Sequence, residues 1–314
     1  WANGDIVSDT AGAANSPFFG TVTGTVQLGG LRYTAAVGST VTVTAGNTLG
    51  IDGTIIVAPS ALATNQTING GFLTGSSGGG TLGVQQNGTG VLIINSTIVD
   101  NGGATSFAKS GTGAARLNAA NGYTGGTTLS GGRLEVASLA NGGVASSIGA
   151  SSADAANLII ESGTLAYTGG VDAVSDRGIT LVNGGAERAI QVDAGRSVEF
   201  SGLVTSSDDA GLTKTGSGTL VLSNAANDYV GVTTITQSSA AGNSTLSVNT
   251  LADGGVASGI GAASGDSANL LISNGAKLQY TGGSVAIDRG FTLVAGQGGI
   301  DVANAGTTLT IGGI

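Results

Sequence analysis

The chain has 314 residues, with 59 Gly, 2 Pro and no Cys, Met or His, so disulfides, Cys- or His-based nucleophiles and most transition-metal centres are excluded. Ten basic residues against 19 acidic ones give a formal net charge of −9; the three lysines, Lys109, Lys214 and Lys277, stand far apart, which argues against nucleic acid as a partner. Hydrophobic residues make up 40% of the chain and Gly follows no three-residue period, which disfavours disorder and collagen.

In chain order, the opening Trp1-Ala-Asn-Gly-Asp5 lacks the basic and apolar regions of a signal peptide. No apolar run of about 18 residues predicts a transmembrane helix. A secreted protein with this sequence is expected to be a processed or excised piece of a longer parent, continuing past Ile314. Short runs rich in Val, Ile, Leu and Thr, separated by Gly/Asn/Ser clusters, predict strands and turns. Thr40-Val-Thr-Val-Thr44 alternates, and Gly90-Val-Leu-Ile-Ile-Asn95, Asn157-Leu-Ile-Ile-Glu161, Gly178-Ile-Thr-Leu-Val182, Gly218-Thr-Leu-Val-Leu222 and Asn269-Leu-Leu-Ile-Ser273 follow. A period of two sends alternate side chains inward. The one modest helical candidate is Ser151-Ser-Ala-Asp-Ala-Ala156.

The chain also repeats itself. Leu139-Ala-Asn-Gly-Gly-Val-Ala-Ser-Ser-Ile-Gly149 returns as Leu251-Ala-Asp-Gly-Gly-Val-Ala-Ser-Gly-Ile-Gly261, 112 residues on. Asp154 and Asn157 recur as Asp266 and Asn269, Tyr167-Thr-Gly-Gly170 as Tyr280-Thr-Gly-Gly283, and Asp176-Arg-Gly178 as Asp288-Arg-Gly290. Upstream, Lys109-Ser-Gly-Thr-Gly113 matches Lys214-Thr-Gly-Ser-Gly218 at a lag of 105, and Thr127-Thr128 matches Thr233-Thr234 at 106 before the lag grows to 112, so an insertion of about six residues is expected on a loop around Gln237 to Asn243. With no helices to cover a parallel sheet and few aromatics to fill a sandwich, the expected fold is all-β: a right-handed parallel β-helix (β-solenoid). Inward positions should be Val, Ile, Leu and Ala, with Thr, Ser and Asn ladders outside. At about 20 to 25 residues per coil, each 112-residue module would hold about five coils. The expected organisation is one continuous solenoid: divergent coils at 1–108, repeat module 1 at 109–213 and a truncated repeat module 2 at 214–314.

The segment Gly111-Thr-Gly-Ala-Ala-Arg-Leu-Asn-Ala-Ala-Asn-Gly-Tyr-Thr-Gly-Gly-Thr-Thr-Leu-Ser-Gly-Gly-Arg-Leu134 resembles the autotransporter-associated β-strand repeat, or passenger-associated transport repeat. Gly216-Ser-Gly-Thr-Leu-Val-Leu-Ser-Asn-Ala-Ala-Asn-Asp-Tyr-Val-Gly-Val-Thr-Thr-Ile235 resembles it too, with Val230 and Val232 in place of a Thr and a Gly. The resemblance implies an autotransporter passenger domain, secretion by a Gram-negative-type cell, and a parent chain anchored by a C-terminal membrane barrel.

Several residues could carry chemistry. Asp208-Asp209 could form the acid pair of a β-helical polysaccharide hydrolase, against the plainer reading of a solvated turn. Asp176-Arg177 and Asp288-Arg289 could bind a ligand, but duplication favours a structural, exposed or ladder-like salt bridge. Gly298-Gly-Ile-Asp301 is a single poor match to calcium-binding turns. Asn65, Asn87, Asn95 and Asn243 fit the glycosylation triplet. Tyr123, Tyr229, Tyr167 and Tyr280 recur in pairs and are expected to pack coil on coil. No catalytic, cofactor-binding or metal residue is assigned and no cofactor is expected. The expected function is a non-enzymatic structural or adhesive rod at a bacterial cell surface. Its partners would be host, matrix or polysaccharide surfaces. The alternatives are a self-assembling extracellular filament, with copies meeting end to end or side by side, and a polysaccharide-degrading enzyme.

Overall fold

The computed structural model describes residues 2–8, 19–184, 187–237, 244–294, 296 and 298–312. The expected insertion falls almost wholly within residues 238–243, outside the described residues, as does Asn243. The chain divides into two compact units, one of residues 1–139 with 143–152, the other of residues 140–142 with 153–314. Both are parallel β-solenoids, as the alternating strand pattern predicts.

Unit 1 winds around three walls. The first stacks Ile6–Ser8, Gly30–Tyr33, Thr54–Val57, Gly80–Gln86, Thr105–Ser110 and the front of Thr127–Val136. The second stacks Phe19–Val22, Thr40–Val43, Gln66–Asn69, Val91–Ile94, Ala114–Leu117 and the back of Thr127–Val136. The third is shorter, running from Val26–Leu28 through Thr48–Ile51 and Phe72–Thr74 to Thr97–Ile98. Parallel pairing places like positions directly above one another. Val41, Ile68, Ile94, Leu117 and Val136 therefore form one inward ladder, and none is more than 1% exposed. Each such side chain contributes about 1.5–3 kcal/mol by leaving water. Outward positions carry the expected polar ladders: Thr21 lies beside Thr42, and Asn118 donates to Asn95 Oδ1 at 2.7 Å.

Unit 2 repeats the scheme. Its first wall takes the front of Leu158–Tyr167, then Ile179–Leu181 and Val204–Ser206. Its second takes the back of Leu158–Tyr167, then Arg188–Val192, Leu212–Thr215, Thr233–Ile235, Leu270–Ile272 and Thr292–Leu293. Its third stacks Ala173–Ser175, Ser197–Phe200, Thr219–Leu222, Thr245–Val248, Lys277–Tyr280 and Gly299–Val302. Only the end of the modest helical candidate is helical: a single 3-10 turn, Ala155–Asn157, with the Asp154 side chain accepting from the Ala156 amide at 3.0 Å. Asp266 caps the repeated turn Ser267–Asn269 in the same way.

The repeat and the coil are out of phase. The back half of Leu158–Tyr167 lies on the second wall, but its sequence counterpart Lys277–Tyr280 lies on the third. The front half lies on the first wall, its counterpart Leu270–Ile272 on the second. Arg188–Val192 and its counterpart Gly299–Val302 are displaced identically. The second copy thus returns after four turns and one further wall. The expectation of about five coils per module fails because turns differ in length. Val198, Leu220, Leu246, Leu278 and Ile300 stack in register, so successive turns use 22, 26, 32 and 22 residues, the longest carrying the Leu251–Gly261 excursion.

Candidate functional site

The two Lys-x-Gly-x-Gly segments hold the strongest polar feature of the interior. Alternation places Phe107 and Lys109 on the same, inward face, and Lys109 stands in an aliphatic ladder with Leu31, Ile55, Val84 and Leu129. Lys214 occupies the equivalent strand position on the second wall of unit 2, between Ile190 and Ile235. Both lysines are fully buried. Each stem fills the ladder while its ammonium reaches the corner of the coil. Lys109 Nζ donates to the carbonyls of Ser110 at 2.7 Å, Gly111 at 3.2 Å and Gly131 at 3.1 Å. Lys214 Nζ donates to the carbonyls of Thr215 at 2.6 Å and Gly216 at 2.9 Å and to Ser244 Oγ at 3.0 Å. Each therefore ties its own corner to the next turn. Burial pulls Lys109 down to about 8 and Lys214 down to about 7.

The glycine after each lysine is required. Gly111 and Gly216 have φ of +77° and +76°, and a Cβ there would meet Gln86 O at 2.4 Å and Val192 O at 2.5 Å, a backbone state and a spacing that only glycine accepts. The tyrosines complete the unit. Tyr123 and Tyr229 are fully buried; Thr127 and Thr233 hydroxyls donate to the carbonyls of Ile148 and Ile260, each at 3.3 Å. The Tyr hydroxyls therefore donate to those threonines, at 2.6 and 2.8 Å. Burial pushes Tyr229 up to about 12. Tyr167 and Tyr280 are also buried, bonding Val171 O and Gly283 O. All four pack between coils as expected, and none offers an exposed ring face to a sugar.

The Asp-Arg duplication needs correction. The pairs were expected as exposed or ladder-like salt bridges, yet Arg177 and Arg289 are 1% and 3% exposed. The pairs brace the repeated Leu-Ala-Asn/Asp-Gly-Gly loop instead. Asp288 Oδ1 accepts from Gly254 N at 2.7 Å, Asp288 N donates to Asp253 Oδ1 at 2.9 Å, and Arg289 Nη1 donates to Gly261 O at 3.0 Å. Asp176 does the same with Gly142 and Asn141, and Arg177 Nε reaches Ala140 O. Loop and brace lie about 35 residues apart, so the pattern is invisible to local reading. Replacing Asp288 by Ala should speed hydrogen exchange of the Gly254 amide about tenfold, leaving the walls protected; unchanged exchange would refute the brace.

The other candidates are scattered. Asp208 and Asp209 lie in an exposed turn between Val204–Ser206 and Leu212–Thr215, where Ser207 Oγ donates to the Asp208 carboxylate. The Asp301 carboxylate is engaged by Lys277 at 3.0 Å and Gln279 at 3.1 Å. The Lys277 hydrogen bond foremost holds its carboxyl below the usual range. Among the described residues no three His, Cys, Asp or Glu gather as a metal would require. Asn65 Oδ1 accepts from Val91 N at 2.9 Å and Asn95 is part of a ladder, so both serve the coil.

Lys109 and Lys214 were missed as buried groups, although two signals were available. The Lys-x-Gly-x-Gly motif is duplicated, and each lysine lies two residues after an inward Phe107 or Leu212, which fixes its parity.

The family described as passenger-associated-transport-repeat matches at residues 107–136 and 212–237, the stretches from the lysine strand through the buried tyrosine. Over all 314 residues the chain is 58% identical to a protein named adhesin BmaC autotransporter, from Brucella suis biovar 1 (strain 1330). It spans 9% of that protein's length. No solved structure matches the chain. Both repeats are matched and the similarity runs the whole length of this chain, so the chain carries two passenger-associated transport repeats and is similar throughout to a stretch of an autotransporter adhesin.

Proposed function

We propose that this chain is a non-enzymatic, adhesive stretch of a bacterial surface protein, exposed outside the cell and carried by a parent anchored in the outer membrane. The observation that carries this reading is the similarity, over all 314 residues of this chain, to a stretch of an autotransporter adhesin. The fold fits it: the duplicated residues with the richest chemistry, Lys109 and Lys214, Tyr123 and Tyr229, Asp176 and Asp288, brace the coil, leaving the outer walls and loops to meet other surfaces. The paired aspartates do not favour hydrolysis, because Asp208 and Asp209 share one exposed turn, whereas acid and nucleophile must flank a bound sugar. Beads coated with the purified chain should be retained on host-cell monolayers several-fold more than albumin-coated beads. Equal retention would refute the adhesive reading.

A further inference from the structure

Residues that recur between the copies brace the coil, so those departing from the repeat are the place to seek a ligand. Three departures meet at one groove. Asp209 stands where the first copy has Ala104, Val232 where it has Gly126, and Arg188 where the second copy has Gly298. All three line an open groove of about 420 Å³ on unit 2, together with Glu187, Asn183 and Thr234. Only 9% of the chain is charged, which makes three charged side chains around one depression notable.

Arg188 is fixed in place, its Nε donating to Gly211 O at 3.1 Å and its Nη1 to Val182 O at 3.4 Å. A guanidinium has five N–H donors in a rigid fork, so these two bonds orient the group while its outer edge borders the groove. Opposite charges flank it: the Glu187 and Asp209 carboxylates can each accept two hydrogen bonds. The single apolar lining side chain is Val232, 36% exposed. A lipid or drug-like ligand needs a mostly apolar wall, which is absent. An anionic ligand would face two carboxylates against one guanidinium. A neutral, polyhydroxylated ligand fits: vicinal hydroxyls donate to a carboxylate, the guanidinium and Asn183 donate to sugar oxygens, and Val232 meets a C–H face. The volume lies within the range of about 300–1,000 Å³ for small-molecule sites, enough for one or two sugar units of a longer chain passing through an open groove.

We propose that this groove binds neutral glycans, one or two sugar units at a time, through Glu187, Arg188 and Asp209. The inference rests on the adhesive reading and deepens it by naming the class of surface ligand. The labelled chain should be applied to an array of neutral oligosaccharides printed beside their sialylated and sulfated counterparts. Binding to neutral spots is expected, falling about tenfold in Glu187→Gln and in Asp209→Asn, since each removes a charge-assisted acceptor. Both residues are exposed, so unchanged circular dichroism and thermal midpoint would show that the variants are folded. A blank array, a preference for anionic glycans, or binding indifferent to both substitutions would overturn the proposal. Chain-coated beads on cells before and after enzymatic removal of surface glycans separate the two readings. Equal retention on stripped cells overturns the glycan site and spares adhesion, whereas no retention on either overturns adhesion.

Discussion

Replacing Lys214 by Met is expected to lower the unfolding free energy by about 2–4 kcal/mol near pH 9.5, where the buried amine is neutral and bears no charge-desolvation cost, because the Thr215 and Gly216 carbonyls and Ser244 hydroxyl lose their shared buried partner. Methionine keeps the aliphatic stem between Ile190 and Ile235, so the loss isolates the amine and its hydrogen bonds from the packing. The penalty should grow with pH. Burial holds Lys214 at about 7 in the folded chain, against about 10.4 for a free lysine. Between those values the unfolded chain binds more protons, so wild-type stability rises with pH by up to about 1.4 kcal/mol per unit from this one group. Below about pH 7 the amine is protonated in both states and the contribution is flat. Lys109 behaves alike from about 8 upward and is common to both proteins, so their difference reports Lys214 alone. Urea unfolding of wild type and variant from pH 6 to 9.5 checks this. A gap between midpoints that does not widen above pH 7 would show that the folded lysine titrates as a free one.

Removing the ring of Tyr229 should cost as much or more. Tyr229→Ala deletes a fully buried aromatic side chain and should destabilise by about 3–5 kcal/mol, the range for large aromatic truncations. Tyr229→Phe removes only the hydroxyl that donates to Thr233 and should cost about 1 kcal/mol. The Ile260 carbonyl keeps the Thr233 hydroxyl in both variants. Thermal unfolding distinguishes these outcomes. A Tyr229→Ala cost below about 1 kcal/mol would mean that the ring is a dispensable surface feature and not a spacer between turns.

Much of the fold could be read from residues alone. Thr40-Val-Thr-Val43 alternates inward and outward as its spelling implies, and Gly, Asn and Asp mark the corners. The tyrosine pairs were legible because they recur in a fixed relation to the motif. The lysines were not, because a lysine in an otherwise polar, Gly-rich segment looks solvated until its parity with Phe107 or Leu212 is counted. The Asp-Arg braces were hidden for another reason: Asp288 acts on Gly254, one long turn away, and sequence does not reveal which turn lies above which. The same ignorance of register concealed the groove, since Arg188, Asp209 and Val232 come from three successive turns.

The extra wall by which the second copy overshoots its fourth turn sets the compass bearing of everything it duplicates in unit 2. The braced loop at Asp176 and its twin at Asp288 face different quarters, like treads on a spiral stair. A flat surface pressed against one flank cannot engage both. Binding strength gained from identical neighbouring motifs needs a single ligand able to reach them together, so here it would require a partner that curls around the stair or separate partners on separate sides.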